Sequence, residues 1–222
     1  MCGSMYLKTL ESRGTQTMSY DKLPSPERLN QAVQAVQARG INVVLVNTRE
    51  EALEKLKELI PAGASLMTGS STTLQQIGFE DLLISKQHPW NNLKDAILAE
   101  KNPQKQSELR RQSVLADYFL GSVHAVAASG ELVVASSTGS QLPAYAYASR
   151  NVVWVAGAQK IVADLDEAFR RVREHVFPLE DQRMKNAGYK GATLGKWLIF
   201  ERESAFLGRG VTLVLVNEPL GF

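Results

Sequence analysis

Cysteine is all but absent. The single one, Cys2, has no partner for a disulfide within the chain, and a site of four thiolates is ruled out. Such usage fits a reducing compartment. The three histidines, His88, His124 and His175, stand far apart, and none lies in a metal-binding spacing. No metal and no cofactor of the chain's own is expected. Long apolar runs are missing too: nothing approaches the roughly 20 residues that span a bilayer. The N-terminus has no apolar signal-peptide core, and Gly3 is not where myristoylation needs it. An excess of either charge is also lacking, with 25 Lys and Arg against 23 Asp and Glu. Arg170, Arg171 and Arg173 sit among Asp166, Glu167 and Glu174, so this basic cluster reads as a solvated helix face. No basic stripe interleaves with aromatics, which argues against nucleic acid. The expectation is a cytoplasmic protein with neither nucleic acid nor membrane as partner.

What is present is the composition of an ordinary globular protein, 44% hydrophobic and 22% charged over 222 residues. Residues 1–17 are polar and patternless and read as a flexible segment; 18–222 read as one domain. Ser25-Pro26-Glu27 opens a helix with a cap, a proline at the first helical position and an early acid. Ile41 to Val46 is a buried strand, and Asn47 or Thr48 caps a second helix that Pro61-Ala62-Gly63 breaks. Ser65 to Thr68 is a strand feeding a helix through Gly69 to Thr73. This order predicts an α/β fold, a doubly wound and mainly parallel sheet with flanking helices. From about 88 to 120 the chain is polar and helix-favouring, with no convincing strand. It reads as a helical excursion, with helices from Trp90 to Ala99 and Gln104 to Phe119. Val123 to Ala127 and Leu132 to Ser136 form an antiparallel hairpin around Glu131. Asn151 to Ala156 is a strand, Asp164 caps a long helix that Pro178 kinks, and Trp197 to Phe200 and Val211 to Val216 are the last strands. On the long helix, Asp166–Arg170 and Glu167–Arg171 are spaced to pair at i, i+4.

Candidate binding residues fall on loops. Gly69, Ser70, Ser71, Thr72 and Thr73 make a small, hydroxyl-rich turn, where Gly69 allows a backbone that a side chain would obstruct. Free N–H groups at the following helix suit a phosphate or carboxylate, although the same turn serves equally as a plain helix cap. No lysine stands where a Walker A loop needs it. Thr138, Gly139 and Ser140 form a second loop of the same chemistry after another strand. Lys160, beyond a third strand, brings a cation or is a surface charge. In open α/β sheets ligands sit beyond the carboxyl ends of strands, so neighbouring parallel strands would bring these loops to one crevice.

A family resemblance rests on the order of several motifs. Thr68-Gly-Ser-Ser-Thr-Thr-Leu-Gln-Gln-Ile-Gly78 resembles the GGS-x-T-L-x-E-I-G loop of the LUD-domain, or lactate-utilisation, family. Ala116-Asp117-Tyr118-Phe119-Leu120 resembles its A-D-x-F segment, and Val123 to Val134 its N-A-I-x-x-x-G-x-L-V run. Val152 to Val162, with Gly157, Lys160 and Ile161, is similar to V-x-V-V-G-x-x-K-I-V; Val214 to Phe222 resembles the closing I-L-V-x-E-x-L-G-Y. The resemblance spans about Pro26 to Phe222. It implies a fold like that of the sugar-phosphate isomerase, glucosamine-phosphate deaminase and CoA-transferase group. Two features depart from the family. Gly139-Ser140-Gln141-Leu142-Pro143 stands where many relatives have G-N-R, and 189–209 lacks their cysteine cluster.

The resemblance implies a subunit or accessory protein of L-lactate utilisation, the oxidation of lactate to pyruvate. Such a protein binds a small anionic metabolite and works beside iron–sulfur oxidoreductase subunits. The alternative is a stand-alone enzyme acting on a phosphate, carboxylate or CoA ester. Glu131 and Lys160 are the catalytic candidates. Glu131 is the hairpin's only acid and CoA-transferases of this fold use a glutamate nucleophile, but as an unaligned position it reads better as a solvated turn residue. Ser70 and Ser71 lack a G-x-S-x-G context and a histidine partner.

Overall fold

The computed structural model describes residues 20–222, so the segment 1–17 expected to be flexible lies outside the described residues. Helix α1 (Pro26–Ala38) starts where Ser25 Oγ accepts from Arg28 N–H and Pro26 presets a helical φ. Strand β1 (Asn42–Val46) leads to α2 (Arg49–Leu59), capped by Thr48 and burying Ala52 and Leu56. Strand β2 (Ser65–Thr68) feeds α3 (Thr72–Gln76), and Gly78, at φ 78°, turns the chain into α4 (Phe79–Ser85). A short strand β3 (Asn91–Asn92) precedes α5 (Leu93–Ala99) and α6 (Pro103–Gln112). Strand β4 (Tyr118–Gly121) is followed by the hairpin of β5 (Ala125–Ala127) and β6 (Leu132–Ser136). A wide π turn (Ala144–Ala148) leads to β7 (Asn151–Gly157) and β8 (Ile161–Val162). One helical run then holds α7 (Leu165–Arg171), a π turn (Val172–Val176) and α8 (Phe177–Asn186). Strands β9 (Lys196–Phe200) and β10 (Gly210–Val216) complete the elements.

Six strands form one sheet in the order β1-β10-β7-β4-β2-β3, every pair parallel. The α/β architecture is thus the expected one. Two helix assignments are corrected. Tyr118 and Phe119 do not end a helix; they open β4, a central strand between β2 and β7. Four residues buried on both faces carry no alternation, so nothing separated them from the helix before. The helical excursion accordingly spans 93–115, and Trp90 lies outside α5, buried with its Nε1 donating to Ile60 O (3.0 Å). In the long helix, Arg170 pairs with Glu167 at 2.6 Å, and Arg171 turns inward rather than pairing with Glu167. The run passes through Pro178 after the wide turn at 172–176, where Phe177 N–H reaches Val172 O.

A second sheet, β8-β5-β6-β9, was not foreseen. Along β7, Val152, Trp154 and Ala156 pack with α1 and residues of this second sheet, among them Val126, Leu132 and Phe200. Val153 and Val155 face the other way, against Leu56, Leu74 and Phe79 of α2 to α4. The outer side of the second sheet is covered by Ala168 and Val172. Period-2 alternation thus gives each sheet two buried faces.

Candidate functional site

Three adjacent parallel strands, β2, β4 and β7, run to the same edge of the sheet. The chain after each contributes to one cleft: Gly69 to Thr73 after β2, Ser122 to His124 after β4, and Lys160 after β7. Gln141, Tyr145, Glu180, Arg183 and Phe222 complete a cavity of about 70 Å³. That is room for several waters or one small molecule. Ser71 Oγ caps α3 by accepting from Leu74 N–H (3.2 Å), and Gly69 N–H donates to Leu120 O (3.2 Å), which locks the loop to β4.

Gly69 is not the glycine the backbone demands. A Cβ there would meet only Tyr145 Oη at 3.7 Å and Gln141 Cβ at 3.9 Å, ordinary contacts. The close approach is at Gly121, where a Cβ would stand 1.8 Å from Tyr145 Oη. Thr138, Gly139 and Ser140 do not line the cleft. Their strand β6 is antiparallel and belongs to the second sheet, so the loop points elsewhere: Ser137 bonds Thr193, and Gly139 packs on Lys196. Only Gln141 from that loop reaches the site.

Lys160 is 3% exposed. Its Nζ lies 3.0 Å from Ser122 Oγ, 3.1 Å from Thr73 Oγ1 and 3.2 Å from Val123 O. Burial, then the neighbouring Arg171, pushes its pKa well below the ordinary lysine range. Arg171 is fully buried; its Nη1 donates to His124 O and Phe222 O, while Nε and Nη2 have no partner among the described residues. Burial lowers its pKa to about 10. His124 Nδ1 accepts from Ala135 N–H (3.1 Å), so the neutral ring carries its proton on Nε2. Burial, then Lys160 and Arg171, lowers its pKa to about 3. The buried carboxylate Glu167 is taken by Tyr20 and Arg170, and Glu180 on the rim by Arg183 (2.6 and 2.7 Å). Lys160 and His124 thus line the cleft, Arg171 bonds the main chain of two lining residues, His124 and Phe222, and no Asp or Glu is in ion-pair contact with these three among the described residues.

Glu131 sits at the hairpin tip, the far end of β5 from Ser122, and does not line the cleft. It pairs with Arg39, which also donates to Ser129 O (2.9 Å) and Glu201 O (2.8 Å). Burial alone would raise its pKa; hydrogen bonds from Ser129 and Arg39 bring it below the usual glutamate value. Its geometry is that of a brace between α1, the hairpin and the chain after β9. Glu131→Gln should cost about 1 kcal/mol of stability, seen by urea denaturation. The thermal-shift response of the cleft to small anions should be unchanged.

Sequence reasoning missed Ser122, His124 and Tyr145 because it missed β4. One signal was available: the pair Gly121-Ser122 at the end of β4 repeats the pair Gly69-Ser70 that follows β2. Asp117, in the segment before β4, accepts from Ser65 N–H (3.0 Å) and Ser65 Oγ (2.7 Å), clamping β2 beside β4. The Ser65 hydrogen bonds lower its pKa.

Comparison with known proteins adds the following. The family described as LUD domain matches this chain over residues 29–194. A crystal structure of a DUF162 family protein from Deinococcus radiodurans is similar, with a TM-score of 0.51 at 12% identity, covering 88% of this chain and 98% of that one. At that identity the likeness is one of fold. Among curated proteins none matches. Among the described residues, no helix is long and apolar enough to cross a membrane.

Proposed function

Because the chain belongs to the LUD-domain family, associated with lactate utilisation, we propose that it serves the oxidation of L-lactate to pyruvate as a subunit or accessory protein holding a small anionic metabolite in the cleft. The observation that supports this is that Lys160 and His124 line one small cavity and Arg171 bonds the main chain of His124 and Phe222 beside it, with no Asp or Glu in ion-pair contact with these three among the described residues. A bound carboxylate or phosphate would sit near the Arg171 charge, and hydroxyls and main-chain N–H groups of 70–73 would supply its hydrogen bonds. The redox chemistry then belongs to iron–sulfur oxidoreductase subunits as partners, which a pull-down from native extract would recover.

Thermal-shift measurements with L-lactate, pyruvate and inorganic phosphate test the binding, followed by calorimetric titration. Ser70→Ala should weaken it by about 1 kcal/mol, the net value of one hydrogen bond. Gly69→Val should weaken it more. A Cβ fits at Gly69, so the effect comes from the branched methyls taking up cavity space beside Tyr145 and Gln141. Undiminished binding by folded Gly69→Val would place the ligand elsewhere.

A further inference from the structure

We propose that Ser122 and Lys160 form a nucleophile and general base that transfer the acyl group of a short ester or thioester. This goes beyond metabolite binding and does not depend on which anion the cleft takes. Ser122 Oγ lines the cavity and lies 3.0 Å from Lys160 Nζ. Nζ has three oxygen neighbours, Ser122 Oγ, Thr73 Oγ1 and Val123 O. Val123 O, at 3.2 Å, can only accept, and Thr73 Oγ1, at 3.1 Å, accepts the second N–H. In the uncharged form the lone pair faces Ser122 Oγ, whose hydroxyl donates to Val123 O at 3.2 Å at rest and rotates to reach Nζ. Thr73 Oγ1 donates in turn to Ser122 Oγ at 3.2 Å, which orients it.

The surroundings favour the uncharged form. Nζ is buried, Arg171 of α7 and His124 beside β5 face it, and His175 of the π turn adds no negative charge. The carboxylate on the rim, Glu180, is bonded to Arg183. A neutral lysine within hydrogen-bond distance of a hydroxyl is the arrangement that activates a serine without histidine.

The chemistry balances within the chain plus water. Ser122 Oγ forms a bond to the carbonyl carbon as its proton moves to Nζ. The bond from that carbon to the alcohol or thiol breaks, and Nζ returns the proton to the leaving group. Water then attacks the acyl-serine, Nζ takes a proton from it, and that proton goes back to Ser122 Oγ as the acid departs. The His124 Nε2–H and the N–H groups of 70–73, which bond no acceptor among the described residues, are the donors available to the oxyanion. A cavity of about 70 Å³ admits only a short acyl chain.

The test uses the full chain and p-nitrophenyl acetate. Nitrophenolate release is followed together with intact mass, and the acetyl group is located by peptide mapping. The expected result is one acetyl group per chain, on Ser122, and a rate that falls at least about a hundredfold in Ser122→Ala. Lys160→Arg, which stays protonated and gives no base, should lose the rate equally. If that variant does not fold, the pH profile of the natural chain decides. A neutral amine puts the rate on its plateau well below pH ~10, the ordinary lysine range. Acetylation of Lys160 itself, no acyl-enzyme at all, or a rate that rises only near the ordinary lysine range overturns the proposal. A retained thermal-shift response to lactate or phosphate would show that the binding site is intact in that case.

Discussion

Gly121→Ala is expected to destabilise the protein by about 2–3 kcal/mol, the upper part of the range for overpacking a core. The added Cβ would stand 1.8 Å from Tyr145 Oη and 2.9 Å from its Cζ. Tyr145 cannot step aside. Its ring is 2% exposed and wedged edge-on between Phe119 and Trp154, both with centroids 5.4 Å away. Trp154 in turn stacks edge-on against Phe200 of the second sheet at 5.2 Å. Moving Tyr145 therefore disturbs the joint between the two sheets as well as the floor of the cleft. Urea denaturation measures the loss. Pairing the change with Tyr145→Phe, which removes the hydroxyl in closest conflict, should restore at least about 1 kcal/mol as a coupling energy. Strict additivity of the two changes would mean that the conflict is relieved by backbone movement instead.

Stability should also fall with acid in a way that traces to one ring. His124 titrates at about 3 in the folded state, against the ordinary histidine value of 6.5 in an unfolded chain. Between those limits the unfolded state binds the extra proton, so stability declines as the pH falls below about 6.5 and the decline ends near 3. The full loss is roughly 3–5 kcal/mol, the lower end allowing for water in the cleft screening a partly open ring. Carboxylates titrate over part of the same range, so the comparison is with His124→Asn, whose side-chain oxygen can accept from Ala135 N–H in place of Nδ1. Urea midpoints of the two proteins from pH 8 to pH 4 should diverge as the pH drops, with the variant the less sensitive. Parallel curves would show that His124 charges without penalty.

The elements legible in the sequence were those with a long or regular pattern. The β-branched runs at Val43 to Val46, Val152 to Val155 and Val211 to Val216 could hardly be anything but buried strands, and the capped helices opened where Ser25, Thr48 and Asp164 stand. The site was legible only by halves. Gly69 to Thr73 and Lys160 line one cleft as the topology rule suggests, but the strand that joins them, β4, is four residues long and follows a helix directly. Without it, the hydroxyl loop at 138–140 looked like the natural companion. Residue types there are right, but an antiparallel strand in another sheet carries them away from the cleft. Arg171 shows a different limit. Its spacing from Glu167 is that of a surface pair, and only the tertiary packing of α7 on the second sheet decides that it turns inward.

The π turn at 172–176 has a consequence for insertions and deletions. Counted at 3.6 residues per turn, one residue is worth about 100° of rotation. Deleting any single residue of 172–176 would let the run from Asp164 to Asn186 close up as a plain α-helix, with better local hydrogen bonding. The wide turn absorbs that residue: Phe177 N–H already reaches Val172 O across it, and with one fewer residue between them the same pair makes an ordinary i, i+4 bond, so the rotation beyond is kept. Ala168 would keep its place against the second sheet, and Glu180 and Arg183 theirs on the rim of the cleft. A deletion elsewhere in the run would instead turn the rim by more than a quarter of a turn, so the wide turn is the one place where this helix can lose a residue and present the same mouth to a ligand.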